Sequence, residues 1–215
     1  MRHQTDITHV ALLLFSLFGS FELALSQEPF WQSTGGPGGG TVHALVVTRT
    51  NDVIAGTDIG GVYRLVGGTT TWVQSNAGLL NLHIRSLAVD TGGILLVGTQ
   101  GAGVYRSTDN GEHWTPSSLT PLYTIRALAA GGGMIFAGTS GGGAFRSADA
   151  GLTWSGANNG LTDIYVRSLA VSPSGSVFAG TAYGGVYRST NYGAQWSWSV
   201  IPNDYEFRAI MIGIN

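Results

Sequence analysis

The sequence predicts an all-β protein built from a repeated four-stranded unit, and this prediction depends on three recurring residue types. Tryptophan recurs at intervals of 42, 40 and 42 residues, at Trp72, Trp114, Trp154 and Trp196. Glycine recurs at the same three intervals, at Gly56, Gly98, Gly138 and Gly180. Arginine recurs every 41 residues, at Arg85, Arg126, Arg167 and Arg208, and His43 lies one period earlier. Because separate markers share one period, the chain is an array of similar units.

One unit is seen in full in residues 166–199. Its runs VRSLAV, SVFAG, GVYRS and QWSWS are short, contain β-branched and aromatic residues, and are separated by glycine, serine or asparagine turns. No segment after the N-terminal region sustains apolar residues at helical spacing. Four antiparallel strands in about 41 residues match one blade of a β-propeller, whose radial repetition protects strand edges. A β-solenoid is the alternative, but its turns are usually shorter and simpler.

The strand runs divide the chain into blades. Four whole blades are expected at about 42–75, 84–117, 125–157 and 166–199. PFWQS at 29–33 is typical of an outer strand with no blade before it, and EFRAIMIGIN at 206–215 is typical of the inner strand of a next blade. We therefore expect partial blades at both ends and a fragment of a larger ring, rather than a complete five-bladed one.

Three octets fall between the third and fourth strands of their units: STDNGEHW at 107–114, SADAGLTW at 147–154 and STNYGAQW at 189–196. We call them the turn octets. The aspartate or asparagine can accept hydrogen bonds from backbone N–H groups, the glycine can adopt positive φ, and the tryptophan begins the outer strand and packs inward. Local turn chemistry thus accounts for all repeated residues, and we expect structural roles for Ser107, Asp109, Gly111, Trp114, Ser147, Asp149, Gly151, Trp154, Ser189, Asn191, Gly193 and Trp196.

The turn octets resemble the Asp-box, or BNR, motif S-x-D-x-G-x-x-W. The segment FAGTAYGGVYRS is similar to the one that precedes this motif in exported bacterial BNR and YVTN-like (WD40-like) propellers. The resemblance covers residues 30–215 and implies the fold rather than a function, because sialidases, xyloglucanases, sortilin-like receptors and assembly factors of the Ycf48 type all contain the motif. Blade one keeps only Trp72 and blade four has Asn191 for the acid, so we expect those turns to be weaker or differently held.

Composition limits the classes of function. The 215 residues include 43% hydrophobic and 10% charged residues with a net charge of −2, which predicts a globular domain. All ten basic residues are arginine, and the near-neutral balance gives no basic field for nucleic acid. The absence of cysteine excludes disulfides, thiolate chemistry and cysteine metal sites. The histidines lack metal-ligand spacing and the glycine-rich segments lack a phosphate-loop lysine, so we expect neither a metal nor a cofactor.

The N-terminus has the pattern of a signal peptide. Arg2 and His3 precede the apolar run VALLLFSLF at 10–18, and ALS at 24–26 offers small residues for cleavage before Gln27. A membrane anchor is the alternative, but this run is shorter than the roughly 20 residues that span a bilayer. We therefore expect residues 1–26 to be removed, residues 27–215 to be secreted or periplasmic, and no membrane association after cleavage.

The loops between second and third strands vary at one position within a fixed frame. They read GTDIGG, GTQGAG, GTSGGG and GTAYGG, which places Asp58, Gln100, Ser140 and Ala182 at corresponding sites. In a propeller these loops and those that join one blade to the next open on one face near the central channel, where ligands usually bind. Variation there is where function can reside. Asp58 and Tyr183 are therefore candidate ligand contacts, with loop capping as the first expectation for Asp58.

A second resemblance concerns Asp58 alone. TDIGGVYR at 57–64 is similar to TDIGGAYR of the xyloglucan-hydrolysing BNR enzymes, where the aspartate is one of two catalytic acids. Inverting hydrolysis needs a second carboxyl group roughly 6.5–9.5 Å away. Those enzymes take it from a second propeller, and Asp163, Asp204 and Glu206 of this chain are in no recognisable acid motif. Asp58 is thus a catalytic candidate only if the protein is a hydrolase, and we expect no catalysis by this chain alone.

Eight of the ten arginines occupy repeat positions, which favours structural roles. Arg64, Arg106, Arg146 and Arg188 close third strands, while the four named above open first strands. The alternative is an anion site, in which His43, Arg85, Arg126, Arg167 and Arg208 ring the channel mouth and attract a carboxylate or an acidic protein surface. A sialidase is disfavoured because the Arg-Ile-Pro segment of that class is missing.

The sequence thus favours a secreted propeller that binds a protein or glycan through its channel-mouth face, with no assigned oligomeric state. Two alternatives remain open. One is a fragment of a xyloglucanase-like glycoside hydrolase. The other is a sensor or a Ycf48-like assembly factor with an acidic protein partner.

Overall fold

The computed structural model describes residues 35–119 and 123–199. These residues contain sixteen β-strands and no helix, arranged as four four-stranded antiparallel sheets. None of the described segments therefore offers a helix of the length and apolarity that a membrane span requires. The predicted signal peptide at 1–26, the strands expected at 29–33 and 206–215, and Arg208 lie outside the described residues.

Each sheet contains its four strands in chain order and is called a blade. Blade 1 consists of β1 (Val42–Val47), β2 (Val53–Thr57), β3 (Val62–Leu65) and β4 (Trp72–Gln74). Blade 2 consists of β5 (Ile84–Val89), β6 (Leu95–Thr99), β7 (Val104–Ser107) and β8 (Thr115–Pro116). Blade 3 consists of β9 (Ile125–Gly131), β10 (Met134–Thr139), β11 (Ala144–Ser147) and β12 (Ser155–Gly156). Blade 4 consists of β13 (Val166–Val171), β14 (Val177–Thr181), β15 (Val186–Ser189) and β16 (Ser197–Ser199).

The first strands of successive blades are neighbours: β1 contacts β5, β5 contacts β9, and β9 contacts β13. The second strand of each blade is almost wholly buried. Because neighbouring blades cover it, β6 reads LLVGT and β10 reads MIFAGT, without the polar alternation of a half-exposed strand. This is the radial arrangement that the repeats predict.

The hydrophobic core lies between blades, in three parts. Ile54 and Val62 of blade 1 pack with Ile84 and Leu87 of blade 2. Corresponding clusters join blade 2 to blade 3 and blade 3 to blade 4. Each blade is thus stabilised by its neighbours, which is the nearest-neighbour energetics expected of a repeat protein.

The repeated glycine of the second strand allows this close packing. A Cβ atom added at Gly56 would lie 2.5 Å from Ile84 Cγ2, and one added at Gly138 would lie 2.5 Å from Val166 Cγ1. In both cases the obstructing residue begins the first strand of the next blade. Glycine therefore recurs at intervals of 42 and 40 residues because one blade approaches the next at these positions, and not because the backbone requires positive φ.

The substitution Gly138→Ala is expected to lower the free energy of unfolding by about 1–3 kcal/mol, because the methyl group overlaps Val166 and overpacks the junction between blades. Gly156→Ala is the control, because a Cβ atom at that position of β12 would meet no atom within 4 Å. Chemical denaturation of the two variants measures the difference. Equal stability would show that the junction can relax around the methyl group.

Candidate functional site

The turn octets are held by the serine hydroxyl. In each octet the serine Oγ accepts a hydrogen bond from the glycine N–H four residues on, at 2.8, 2.9 and 2.9 Å in chain order. The same hydroxyl donates to the aspartate or asparagine Oδ1 at 2.7, 2.7 and 2.9 Å. That Oδ1 also accepts the N–H two residues after the glycine, at 3.0, 2.9 and 2.9 Å. The network closes the connection between the third and fourth strands.

Two consecutive residues of each octet have positive φ. The glycine does so, as its residue type suggests, but so do the preceding Asn110, Ala150 and Tyr192, at 59°, 57° and 55°. Side chains with a Cβ pay a steric cost in this region, least for asparagine. The spacing of the motif does not indicate this second position, because its residue type differs in every octet.

Asn191 keeps the two Oδ1 contacts of the acids that it replaces, and the acids make further contacts through their second oxygen. Asp149 Oδ2 accepts the Thr153 hydroxyl at 2.5 Å, and Asp109 Oδ2 lies 2.8 Å from His113 Nδ1. The Thr153 hydroxyl and N–H and the Ser147 hydroxyl lower the pKa of Asp149 to about 2. Partial burial raises the pKa of Asp109, but bonds from His113 and Ser107 outweigh it and lower that pKa to about 2.

The octet tryptophans connect neighbouring blades. Trp114 Nε1 donates to the Ser75 carbonyl at 2.7 Å, and Trp196 Nε1 donates to the Ala157 carbonyl at 2.7 Å, both in the preceding blade. Trp154 instead donates to the Ser117 hydroxyl at 3.1 Å. Each tryptophan precedes the outer strand and does not begin it, contrary to the expectation from the sequence. The indole therefore packs at the junction between two blades.

The arginines that close third strands also reach toward the next blade. Arg106 Nε donates to the Ala150 carbonyl at 3.2 Å, and Arg146 Nη1 donates to the Tyr192 carbonyl at 2.9 Å. Both acceptors belong to the positive-φ position of the next turn octet. Arg188 differs, with Nη2 donating to Ser176 Oγ within its own blade at 3.2 Å.

The loops between second and third strands share one device. The threonine of each GT pair donates its hydroxyl to the carbonyl of the residue four positions on, at 2.8, 2.8, 2.9 and 3.1 Å. The same oxygen accepts the N–H three positions on, at 3.1, 3.1, 2.9 and 3.1 Å. Sequence reasoning recognised the fixed frame but missed the threonines that fix it: Thr57, Thr99, Thr139 and Thr181.

These loops meet the segments that join the blades, and together they form what we call the loop face. Asp58 N–H donates to the Thr41 carbonyl at 2.9 Å, Gln100 N–H to the His83 carbonyl at 2.9 Å, and Ala182 N–H to the Tyr165 carbonyl at 2.9 Å. The four variable positions are therefore held on one side of the blades. The turn octets lie at the opposite ends of the strands.

Asp58 lies in a cluster with His43, Arg85 and Gln100, which we call the Asp58 cluster. Arg85 Nη2 is 3.1 Å from Asp58 Oδ1, and Arg85 Nη1 is 2.6 Å from His43 Nε2. His43 Nε2 is 3.5 Å from Asp58 Oδ1. Gln100 Oε1 accepts both Nε, at 2.9 Å, and Nη2 of the same guanidinium. Three residues predicted as channel-mouth contacts thus meet, and Gln100 joins them unpredicted.

The Asp58 carboxylate is a counter-ion of Arg85. Its side chain is 38% exposed, so solvent reaches the pair. The contact does not have hydrogen-bond geometry, and Oδ1 has no hydrogen-bond partner among the described residues. His83 Nδ1 is a further 4.0 Å neighbour of that oxygen. Because Oδ1 is itself buried, a ligand hydroxyl or amide can approach only the exposed remainder of the Asp58 side chain.

The remaining arginines of the predicted ring open β9 and β13. Arg126 Nε donates to Ser140 Oγ at 2.9 Å, and Arg167 is partly exposed. In blades 1 to 3, the variable loop residue is thus near the basic residue of its own first strand, as His43 with Asp58, Arg85 with Gln100 and Arg126 with Ser140. In blade 4 the variable residue is Ala182, which has no side-chain acceptor.

Asp163 is a loop cap. Its Oδ2 accepts the N–H groups of Tyr183 at 2.6 Å and Gly184 at 2.7 Å, and its Oδ1 accepts the Tyr165 N–H at 3.0 Å. Burial raises the pKa of Asp163, but these donors outweigh it and the pKa is lowered overall. Oδ2 therefore fixes the β14–β15 loop to the segment before β13, while Oδ1 caps that segment itself.

Three aromatic side chains surround this cap on blade 4, and we call them the aromatic platform: Tyr165, Tyr183 and Trp198. They are 44%, 81% and 58% exposed. The rings of Tyr165 and Tyr183 lie 6.0 Å apart at an interplanar angle of 77°. Trp198 Nε1 donates to the Gly184 carbonyl at 2.8 Å. The sequence pointed to Tyr183 only, because it alone departs from the loop frame.

Two features elsewhere are less suited to ligand binding. Asp109, Glu112 and His113 bring one possible metal-ligand atom each within 4.8 Å of one another, but all three are exposed. Asp109 already serves its octet, and Glu112 lies 3.6 Å from Arg64. A cavity of about 260 Å³ between blades 2 and 3 is lined in part by Asp90 and Asp149. The Asp90 Oδ1 already accepts two turn N–H groups.

Four-stranded blades with adjacent first strands and cores between them make the described residues four blades of a β-propeller. No protein-family model matches the sequence, and no curated protein matches it. An ancestral GH74 enzyme matches with a TM-score of 0.64 and 25% identity over 77% of this chain and 25% of its own. The GH74 xyloglucanase from Xanthomonas campestris matches with a TM-score of 0.66 and 20% identity over 81% of this chain and 32% of its own.

YCF48 bound to D1 peptide matches with a TM-score of 0.57 and 19% identity, over 74% of this chain and 54% of that chain. This chain therefore spans a quarter to a third of the GH74 structures and about half of YCF48. Similarity to a hydrolase and to a peptide-binding protein at these identities establishes the shared propeller fold.

Proposed function

We propose that this chain is an exported Asp-box propeller module that binds a protein or glycan through its loop face and does not catalyse a reaction on its own. The Asp58 cluster is the observation that supports this most directly. The one acid in a hydrolase-like sequence context is the counter-ion of Arg85, at 3.1 Å, and has His43 at 3.5 Å. It is therefore placed to recognise polar groups.

Glycoside hydrolysis requires two carboxyl groups with separate roles. Within residues 35–119 and 123–199, the sequence singled out one other acid on the loop face, Asp163. Three backbone N–H groups donate to its carboxylate oxygens. It is committed to the loop and not available as a partner acid. Asp204 and Glu206 lie outside the described residues.

The loop face has the properties of a preorganised binding surface. The repeated threonine bonds hold each loop in one frame, so the variable side chains are presented with little freedom to lose on binding. An ion pair lies at blades 1 and 2, and exposed aromatic rings lie at blade 4. A surface that differs from blade to blade within a constant frame favours one specific ligand orientation.

Incubation of the purified chain with xyloglucan and with a sialoside is expected to release no reducing ends and no sialic acid, because Asp163, the other acid singled out in the described part of the loop face, is not available as a partner of Asp58. Asp58→Asn is the matched variant, and thermal melting checks that it folds. Release of reducing ends that disappears in Asp58→Asn at an unchanged melting temperature would contradict the proposal.

A hydrolase fragment is the second candidate function. It is favoured by the TDIGGVYR segment, by the likeness to GH74 structures and by the partly exposed side chain of Asp58. Under this alternative a further propeller supplies the second acid. Activity that appears only when such a domain is added in trans, and that is lost in Asp58→Asn, would favour the hydrolase over the binding module.

A further inference from the structure

The propeller fold does not require the aromatic platform. Corresponding positions in blades 2 and 3 carry His83 and Thr124 for Tyr165, and Gly101 and Gly141 for Tyr183. Those for Trp198 carry Pro116 and Gly156. Blade 4 thus forms the same four strands as its neighbours with three large rings added on its surface. Grouped exposed aromatic residues on a soluble domain usually indicate an interaction site.

Hydrogen bonds hold the backbone that carries the platform. Asp163 bonds to the N–H groups of Tyr165, Tyr183 and Gly184, and Trp198 bonds to the Gly184 carbonyl at 2.8 Å. One carboxylate therefore holds the backbone of both tyrosines, and the Trp198 ring bonds to the same loop. Aromatic side chains on a fixed backbone lose little conformational entropy when they bind, so contact area is gained at low cost.

The free polar groups of the platform define the chemistry of its ligand. The Asp163 oxygens are taken by backbone donors, and the indole N–H of Trp198 is taken by a carbonyl. What the three side chains offer is ring faces with tyrosine hydroxyl groups at their edges. A hexose in its chair form has the complementary pattern, with apolar C–H faces and a rim of hydroxyl groups. A charged ligand finds no counter-charge among these three side chains.

We propose that the aromatic platform is a binding site for a neutral hexose chain. This inference rests on the proposed function, because it names the ligand of the loop face. Tyr165 and Tyr183 lie at 77° to each other, so they cannot both stack on the same face of one sugar. One ring stacks on a sugar while the other contacts its hydroxyl rim or the next sugar. Arg167 opens β13 two residues after Tyr165, and an acidic glycan is therefore included in the test.

The experiment is isothermal titration of the full chain with the neutral probes cellohexaose, mannohexaose and laminarihexaose, and with polygalacturonate and a proline-rich peptide for comparison. Tyr183→Ala and Trp198→Ala are each expected to weaken binding of a neutral hexaose about tenfold or more, as removal of a central aromatic contact does. Ile59→Ala is the matched control, because Ile59 is 63% exposed at the corresponding loop position of blade 1. It is expected to leave both the affinity and the melting temperature unchanged.

The outcomes separate this inference from the proposed function. A neutral hexaose that binds, and whose affinity falls in Tyr183→Ala but not in Ile59→Ala, supports the platform. Binding that is insensitive to Tyr183→Ala and Trp198→Ala but falls in Arg85→Gln overturns the platform and leaves the loop face as the binding surface. Binding of polygalacturonate or of the peptide alone overturns the neutral-glycan assignment in the same way. No binding of any neutral hexaose overturns the inference, while the hydrolysis assay tests the proposed function separately.

Discussion

Trp114→Ala is expected to lower the free energy of unfolding by about 3–5 kcal/mol, the cost of removing a large buried aromatic side chain and leaving a cavity. Trp114 is 2% exposed and packs in the core between blades 1 and 2. Its indole N–H satisfies the Ser75 carbonyl at 2.7 Å, and the substitution leaves that acceptor without its donor. The loss therefore combines a cavity with an unpaired polar group at one junction between blades.

Two other tryptophans act as internal comparisons for this prediction. Trp154 is only partly buried and bonds to the Ser117 hydroxyl at 3.1 Å, so Trp154→Ala is expected to cost less than Trp114→Ala. Trp198 is 58% exposed, so Trp198→Ala is expected to change stability little. Denaturant titrations of the three variants give the order. A Trp114→Ala variant as stable as Trp198→Ala would show that the indole is not part of the core.

The fold was predictable because the repeated residues bond to partners that are close in the sequence. Serine, aspartate and glycine of a turn octet bond to one another within five residues, so their spacing in sequence directly reflects their geometry. The recurrent glycine was equally visible. Its cause was not, because the obstructing atoms belong to the next blade and only the folded structure brings them together.

The candidate site was predictable to a smaller degree, for the same physical reason. Asp58, His43 and Arg85 were each identified from the sequence, but a period of 41 residues does not determine which of them form an ion pair. Gln100 was known as a variable position without a partner. Tyr165 and Trp198 were missed. The sequence shows which residues differ from the repeat pattern, but it does not show which of these residues are neighbours in the folded protein.

The turn of blade 1 shows how tertiary structure replaces a missing motif. It lacks the octet serine and acid and keeps Trp72. Here Asp52, from the β1–β2 turn, accepts the Gly67 N–H at 2.8 Å. A residue outside the β3–β4 connection thus provides the hydrogen-bond acceptor that the octet acid provides in the other blades. Arg64 donates Nε to the Asp52 Oδ2 at 2.9 Å. Asn110 of the next blade donates to the same Oδ2 at 2.5 Å, so one carboxylate holds three segments.

Asp52→Ala is accordingly expected to lower the free energy of unfolding by about 3–5 kcal/mol, because removing one partner of a buried ion pair leaves the other charge uncompensated. Asp52 is 3% exposed, and its removal leaves the Gly67 N–H without its acceptor, Arg64 with the exposed Glu112 and the Asn110 amide with Thr50 Oγ1. Burial raises the pKa of Asp52, but the Gly67 N–H and the Arg64 charge outweigh it and the pKa is lowered overall. The carboxylate therefore stabilises the fold above its ordinary pKa of 3.8, and this contribution is lost as the pH falls through the lowered value.

Glu112→Gln tests whether the loss of stability in Asp52→Ala depends on the burial of the carboxylate rather than on its pairing with Arg64. Glu112 is 3.6 Å from Arg64 Nη1, but its side chain is 64% exposed, and such surface pairs contribute at most about 1 kcal/mol. Denaturant titrations at pH 7 are expected to place Glu112→Gln near the parent and Asp52→Ala far below it. Similar, small losses in both variants would mean that solvent replaces Asp52 as the acceptor at the blade 1 turn, and that the link from Asn110 to blade 1 adds little to the stability of the propeller.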